Sequence, residues 1–251
     1  MNTKKLFAAL LTAALLLFAW GDNGLAGTSM DNSIYASLLK KHVADGRVDY
    51  SGFKTDESQL DQYLRQLSQT EPDHLDRAGQ MAFYINLYNA ATIKLILTAY
   101  PGIKSIKDLG SLFQSPWKKK FISLNGRTIT LDHIEHDILR PRFKDPRVHF
   151  AINCASQSCP PLLDEPYTGS TLDAQLNKVT ANFINNPHST YIQDRTLYVS
   201  SIFKWFSQDF GNDIKGFVLK YARADLKRQM DDQAVSLKIK YMDYDWSLNG
   251  S

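Results

Sequence analysis

The stretch Ala78–Tyr100 constrains this chain more than any other. Met81, Phe83, Ile85, Leu87, Ile93, Ile96 and Leu97, with small Ala82, Ala90 and Ala91, leave no polar stripe wide enough to face water. A helix that is apolar on every side has to be enclosed, and Pro101-Gly102 supplies its stop. The rest of the chain must therefore wrap it. Asn86 and Asn89 lie inside this segment, beside Tyr84 and Tyr88. Their i, i+3 spacing puts both amides on one face. An unpaired buried amide costs about 1–3 kcal/mol, so each is expected either to hold a neighbouring loop's backbone or to line a site.

The wrapping elements are legible piece by piece. Leu38, Leu39 and Val43 mark an amphipathic helix from Tyr35 to Val43 that ends near Gly46, and Val48 and Tyr50 suggest a brief extended piece. Leu60, Tyr63, Leu64 and Leu67 mark a second amphipathic helix. Asn125-Gly126 between two alternating runs predicts a hairpin over Phe121–Leu131. Thr130 or Asp132 caps a helix running through Leu139, with Pro141 as its stop. Val148–Asn153 reads as a short buried strand, with His149, Ala151 and Asn153 on one face. Ser170 or Thr171 opens a helix to Phe183, a second hairpin turns at Asp194-Arg195, and a last helix covers Ile214–Ala224. Helices interleaved with hairpins, without βαβ alternation, predict an α+β fold. The expected architecture is a helix-rich single domain with a central buried helix and a small, mostly antiparallel sheet.

The N-terminus has the form of an export signal. Lys4 and Lys5 precede the apolar run Leu6–Trp20, and Gly24-Leu25-Ala26 offers small residues for cleavage. The run is about 22 Å long as a helix, short of the roughly 30 Å hydrocarbon core. A signal peptide over 1–26, a single globular domain over 27–251 and a periplasmic or secreted location are expected, without a stable transmembrane anchor. The sequence holds 29 Lys+Arg and 26 Asp+Glu; loss of Lys4, Lys5 and Asp22 leaves 27 against 25. That balance carries no electrostatic footprint for nucleic acid. Lys118-Lys119-Lys120 is expected to be a solvated turn.

Chemistry-bearing residues concentrate between 132 and 159. Cys154 and Cys159 are the only cysteines. In an oxidising compartment they are expected either to close a small disulfide or to leave Cys154 as a nucleophile, activated by an imidazole. His133 and His136 share a helix face with Asp132, but their spacing differs from the helical zinc motif, and no metal is expected. The serines lack a Gly-x-Ser-x-Gly setting and no phosphate-binding glycine loop is present. No cofactor is expected.

Three ordered motifs then point to a family. Ala82-Phe83-Tyr84-Ile85-Asn86-Leu87-Tyr88-Asn89-Ala90, Ile134-Glu135-His136-Asp137-Ile138-Leu139-Arg140 and His149-Phe150-Ala151-Ile152-Asn153-Cys154-Ala155-Ser156, followed by Cys159-Pro160-Pro161 and Tyr167-Thr168, resemble domain of unknown function 547 over roughly Ala78 to Phe183. Asp45-Gly46-Arg47-Val48-Asp49-Tyr50 is similar to secreted bacterial members. The resemblance implies no settled activity. Its motif positions fall on Asn86, Asn89, Glu135, His136, His149 and Cys154. Plant and animal relatives often carry Ser in place of Cys159, which implies a thiol with a role of its own. The leading expectation is a cysteine-dependent hydrolase or acyl transferase of the bacterial envelope. Cys154 would be the nucleophile, His136 or His149 the base and Glu135 an orienting group, with Asn86, Asn89, Asn153 and Tyr88 binding a small-molecule or peptide-like ligand. The alternatives are a non-catalytic binding or scaffold domain, and a thiol-redox role.

Overall fold

A computed structural model describes residues 30–111, 113–231 and 237–250. The export signal falls outside the described residues. The fold is α+β and helix-rich, as the alternation of patterns predicts.

The first layer is helical. α1 (Ser33–His42) is followed by a two-residue hairpin of β1 (Val43–Ala44) and β2 (Arg47–Val48), then by α2 (Tyr50–Thr55) and α3 (Glu57–Ser68). Tyr50 belongs to α2 rather than to the extended piece expected there, because the Asp49 side chain accepts from Gly52 N and starts the helix. α4 (Arg77–Leu97) is the buried centre: every residue from Met81 to Ile93 is buried, and Asp76 caps its start through Gly79 N. Burial of that many apolar side chains, at about 25 cal/mol per Å² of area removed from water, fixes α4 as the element against which the others are positioned.

Two hairpins follow their sequence signals. β3 (Ile122–Leu124) and β4 (Arg127–Ile129) pair antiparallel across Asn125 and Gly126, both at positive φ. Between this hairpin and α5 (Leu172–Ile184) come a π-helix, His133–Phe143, and a 3-10 helix, Pro146–Phe150. β5 (Thr190–Gln193) and β6 (Thr196–Val199) turn through Asp194 and Arg195, again at positive φ. Then come α6 (Ile202–Trp205), α7 (Ile214–Tyr221) and α8 (Ala224–Asp231), and β7 (Lys238–Tyr241) adds to β6 in parallel. The strands thus form three small sheets among the described residues, not one.

Two expectations are corrected. Pro141 does not stop the helix at Leu139; it lies inside the π-helix, which runs on to Phe143, and the wider turn of a π-helix relieves the proline ring's clash with the preceding turn. Val148–Asn153 is not a strand. Asp145 accepts from Arg147 N and Pro146 occupies the first helical position, so the backbone starts a 3-10 turn despite the alternating apolar pattern.

Residues 242–250 form a strap without regular structure. Leu248 N donates to Lys104 O, Gln157 N to Ser247 O and Val48 N to Asn249 O. A Cβ on Gly250 would sit 1.7 Å from Val48 O, so only glycine lets the strap lie so close. No helix among the described residues is long and apolar enough to cross a membrane.

Candidate functional site

The strap, α4, the π-helix and the loop after the 3-10 helix enclose a cavity of about 250 Å³. Its floor is Tyr88, Glu135, His136 and the Cys154–Cys159 pair; its walls are Trp117, Trp205, Phe206, Tyr244 and Trp246.

The π-helix sets the floor. Thr130, not Asp132, caps it: its Oγ1 accepts from His133 N at 2.9 Å. Glu135 turns inward beside Ile134 and Leu139 and is only 8% exposed. The Tyr88 hydroxyl donates to Glu135 Oε2 at 3.2 Å. Burial, and then the Glu135 charge, hold the Tyr88 phenol well above its usual value, so it remains a donor at neutral pH.

The next residue, His136, faces a different set of groups. Arg140 Nη1 lies 2.9 Å from His136 Nδ1. A guanidinium has donors only, so Nδ1 accepts and the ring proton sits on Nε2, 3.6 Å from Asp132 Oδ1. Arg140 is itself anchored, donating from Nε to Asp209 Oδ2 at 2.6 Å and from Nη2 to Oδ1 at 3.2 Å. His149 Nε2 donates to the same Asp209 Oδ2 at 2.7 Å. The His149 bond first, and then Arg140, hold the Asp209 carboxyl far below the ordinary carboxylate range, against the opposing effect of burial. The His149 ring is buried and stacks on Phe206 with centroids 4.0 Å apart. His133 turns away into a 2.7 Å pair with Asp137 rather than joining His136 and Asp132.

The sulfur departs from the nucleophile expectation. Cys154 is bonded to Cys159. Its Sγ lies 3.3 Å from Ser156 Oγ and 3.3 Å from Tyr244 Oη, and no imidazole nitrogen is among its partners in the described residues. The reason is the turn. Asn153 Oδ1 accepts from Ala155 N at 2.8 Å and Ala155 takes a positive φ of 61°, which folds the chain back so that Cys154 and Cys159 face each other. In this form Cys154 has no thiolate to offer, and His149 has committed its Nε2 proton to Asp209.

The three asparagines lie elsewhere. Asn86 Nδ2 donates to Tyr167 O at 2.8 Å and its Oδ1 accepts from Tyr167 N at 2.9 Å. Asn89 donates to Ala151 O at 2.9 Å and accepts from Asn153 N at 2.8 Å. Asn153 donates to Pro160 O at 2.8 Å and accepts from Ala155 N and Asn249 Nδ2. None of the three lines the cavity. Their amides are held by loop backbones, and Asn86 lines a separate cavity beside Tyr167. Of the expected site residues, the cavity brings together Tyr88, Glu135, His136, His149 and Cys154.

A family model described as "Protein of unknown function, DUF547" matches residues 72–184. The match supports DUF547 as the family of this segment. It covers all three motifs and every floor residue of the cavity. Trp205, Phe206, Asp209, Tyr244 and Trp246 lie beyond it. No curated protein and no solved structure matches the chain.

Sequence reasoning missed those walls and Asp209. One signal was available: the sequence has four tryptophans, and Trp117, Trp205 and Trp246 all line this one cavity. Trp117 and Trp246 sit on no apolar stripe with helical or strand period, so core packing did not account for them.

Proposed function

We propose that this chain is an exported binding domain whose aromatic cleft holds a small-molecule or peptide-like ligand. The observation that carries the reading is the half-open cavity itself. Large aromatic walls surround a few convergent polar groups, the usual composition of a ligand site, and the sulfur on its floor is bridged rather than free. A disulfide also fits the oxidising compartment to which the N-terminal signal would send the protein. The test is a fragment screen read by chemical shifts of the Trp117, Trp205 and Trp246 indole N–H groups. Fragments that move these signals, and lose their effect in Trp205→Ala, support the reading. A screen without hits at these indoles overturns it.

A second reading keeps the cysteine-dependent hydrolase or acyl transferase of the envelope. Cys154 shares one cavity with His136 and His149, and reduction of the bridge by an external dithiol would free its thiol. The thiolate would then attack an acyl carbon, displacing the leaving group with a proton from an imidazole, and water would release the acyl group. Iodoacetamide labelling of Cys154 in the reduced, folded protein tests it. Labelling well below pH 8.5, the ordinary cysteine value, supports a reactive thiolate, and an ordinary profile removes the nucleophile.

A further inference from the structure

Glu135 is buried, faces the cavity and has no cation beside it. Its one hydrogen bond among the described residues comes from the neutral Tyr88 hydroxyl. A buried carboxylate without a positive partner is costly, and proteins retain such a group chiefly where something else supplies the charge. The nearby cations do not. Arg140 is bound to Asp209, His136 accepts from Arg140 and is therefore neutral, and Lys107 does not line the cavity. Around the floor stand the carboxylates of Asp132, Glu135 and Asp209 against the single guanidinium of Arg140. The balance stays negative even if His149 carries a proton.

The walls add a second, independent attraction. Trp205 stacks near Trp246 with centroids 5.7 Å apart, and Tyr244 lies 4.8 Å from Trp205 and 4.6 Å from Trp246. Tryptophan faces attract cations most strongly among side chains, and Trp246 already carries Lys107 Nζ 4.0 Å from its centroid. A metal ion or a primary ammonium wants several oxygen ligands, whereas this cavity offers two carboxylates and mostly ring surface. An alkylated ammonium, weakly hydrated and apolar on its outside, suits such walls better. The volume suits a small head with a short tail.

From this geometry we infer that the cleft binds an alkylated ammonium group, with the ring surfaces that Trp205, Tyr244 and Trp246 present to the cavity meeting the methyl groups and Glu135 supplying the counter-charge. This rests on the binding-domain reading and names its ligand class. The group could come from a free ammonium compound or from a choline lipid head; the chemistry recognised is the same.

The experiment compares choline with 3,3-dimethylbutan-1-ol, its uncharged carbon isostere, by titration calorimetry on the oxidised full chain, repeated with Glu135→Gln and Asp132→Asn. Near-UV circular dichroism checks the fold of each variant. Choline should bind at least roughly tenfold tighter than the isostere, and Glu135→Gln should remove most of that advantage while leaving the isostere unchanged. Co-sedimentation with phosphatidylcholine vesicles, competed by free choline, separates a lipid head from a soluble compound. Equal binding of choline and isostere overturns the cation assignment while the cleft remains a binding site. Failure of both probes also overturns it, and the indole fragment screen then decides whether the wider reading survives. Unchanged choline affinity in a folded Glu135→Gln removes the carboxylate from the assignment.

Discussion

The buried polar side chains that α4 carries and the one that meets it from the π-helix are treated in opposite ways. Asn86 and Asn89 are each tied to loop backbone through both ends of the amide, with one N–H donating and the oxygen accepting. Glu135, buried but less deeply, leaves one carboxylate oxygen without a donor among the described residues and faces a hollow lined with rings. Both pairs of facts come from motifs of the same family segment. A buried carboxylate oxygen without a donor is the exception that calls for an explanation, and the proposed ligand would supply one.

This contrast is breakable. Asn89→Ala should have the largest effect, because it strands the Ala151 carbonyl and the Asn153 N–H in the interior, at about 3–5 kcal/mol of stability for the two groups together. Urea unfolding measures it, and a loss under about 1 kcal/mol would show that water or slippage replaces the clamp. Asp209→Asn comes next, at about 2–3 kcal/mol, since it weakens charge-assisted bonds from both His149 and Arg140. The sign with pH follows from the carboxyl being held low in the folded chain. Its contribution is complete above the unfolded value, near 4, and fades as the pH falls through the folded value. The wild-type advantage over Asp209→Asn should therefore narrow as the pH falls below about 4. An advantage that widens in acid would contradict the assignment.

The Cys154–Cys159 bridge closes so short a loop that its reduction should lower stability by only about 2 kcal/mol on the chain-entropy estimate, measured as the shift in unfolding midpoint with and without dithiol. The smallest effect should be Glu135→Gln, within about 0.5 kcal/mol of the wild type or slightly more stable, since it removes an uncompensated buried charge. A loss as large as that of Asn89→Ala would place Glu135 with the fold-building residues after all.

Local signals read well where one pattern had one physical meaning. The all-apolar run could only be a buried helix, and Asn125-Gly126 could only be a tight hairpin, as both prove to be. Val148–Asn153 failed because its alternation fits a strand, while Asp145 and Pro146 decide the backbone before the alternation begins. The site was half legible. Glu135, His136, His149 and Cys154 stood out as polar residues in family motifs, and all reach one cavity. The Asp209 partner of His149 and the aromatics of the strap were not legible, because they are distant in sequence and carry no periodicity. Whether the two cysteines join depended on a single backbone turn at Ala155, which composition does not encode.

The cavity has two lineages of chain in it. Its acidic base lies wholly within residues 72–184, and most of its ring-bearing side lies after them. A chain sharing only the first stretch would inherit the carboxylate without these rings, and would be free to set other side chains over the same charge. On the proposed reading, exchange of a short peripheral segment would change the ligand while the amide clamps on the central helix keep the scaffold unaltered.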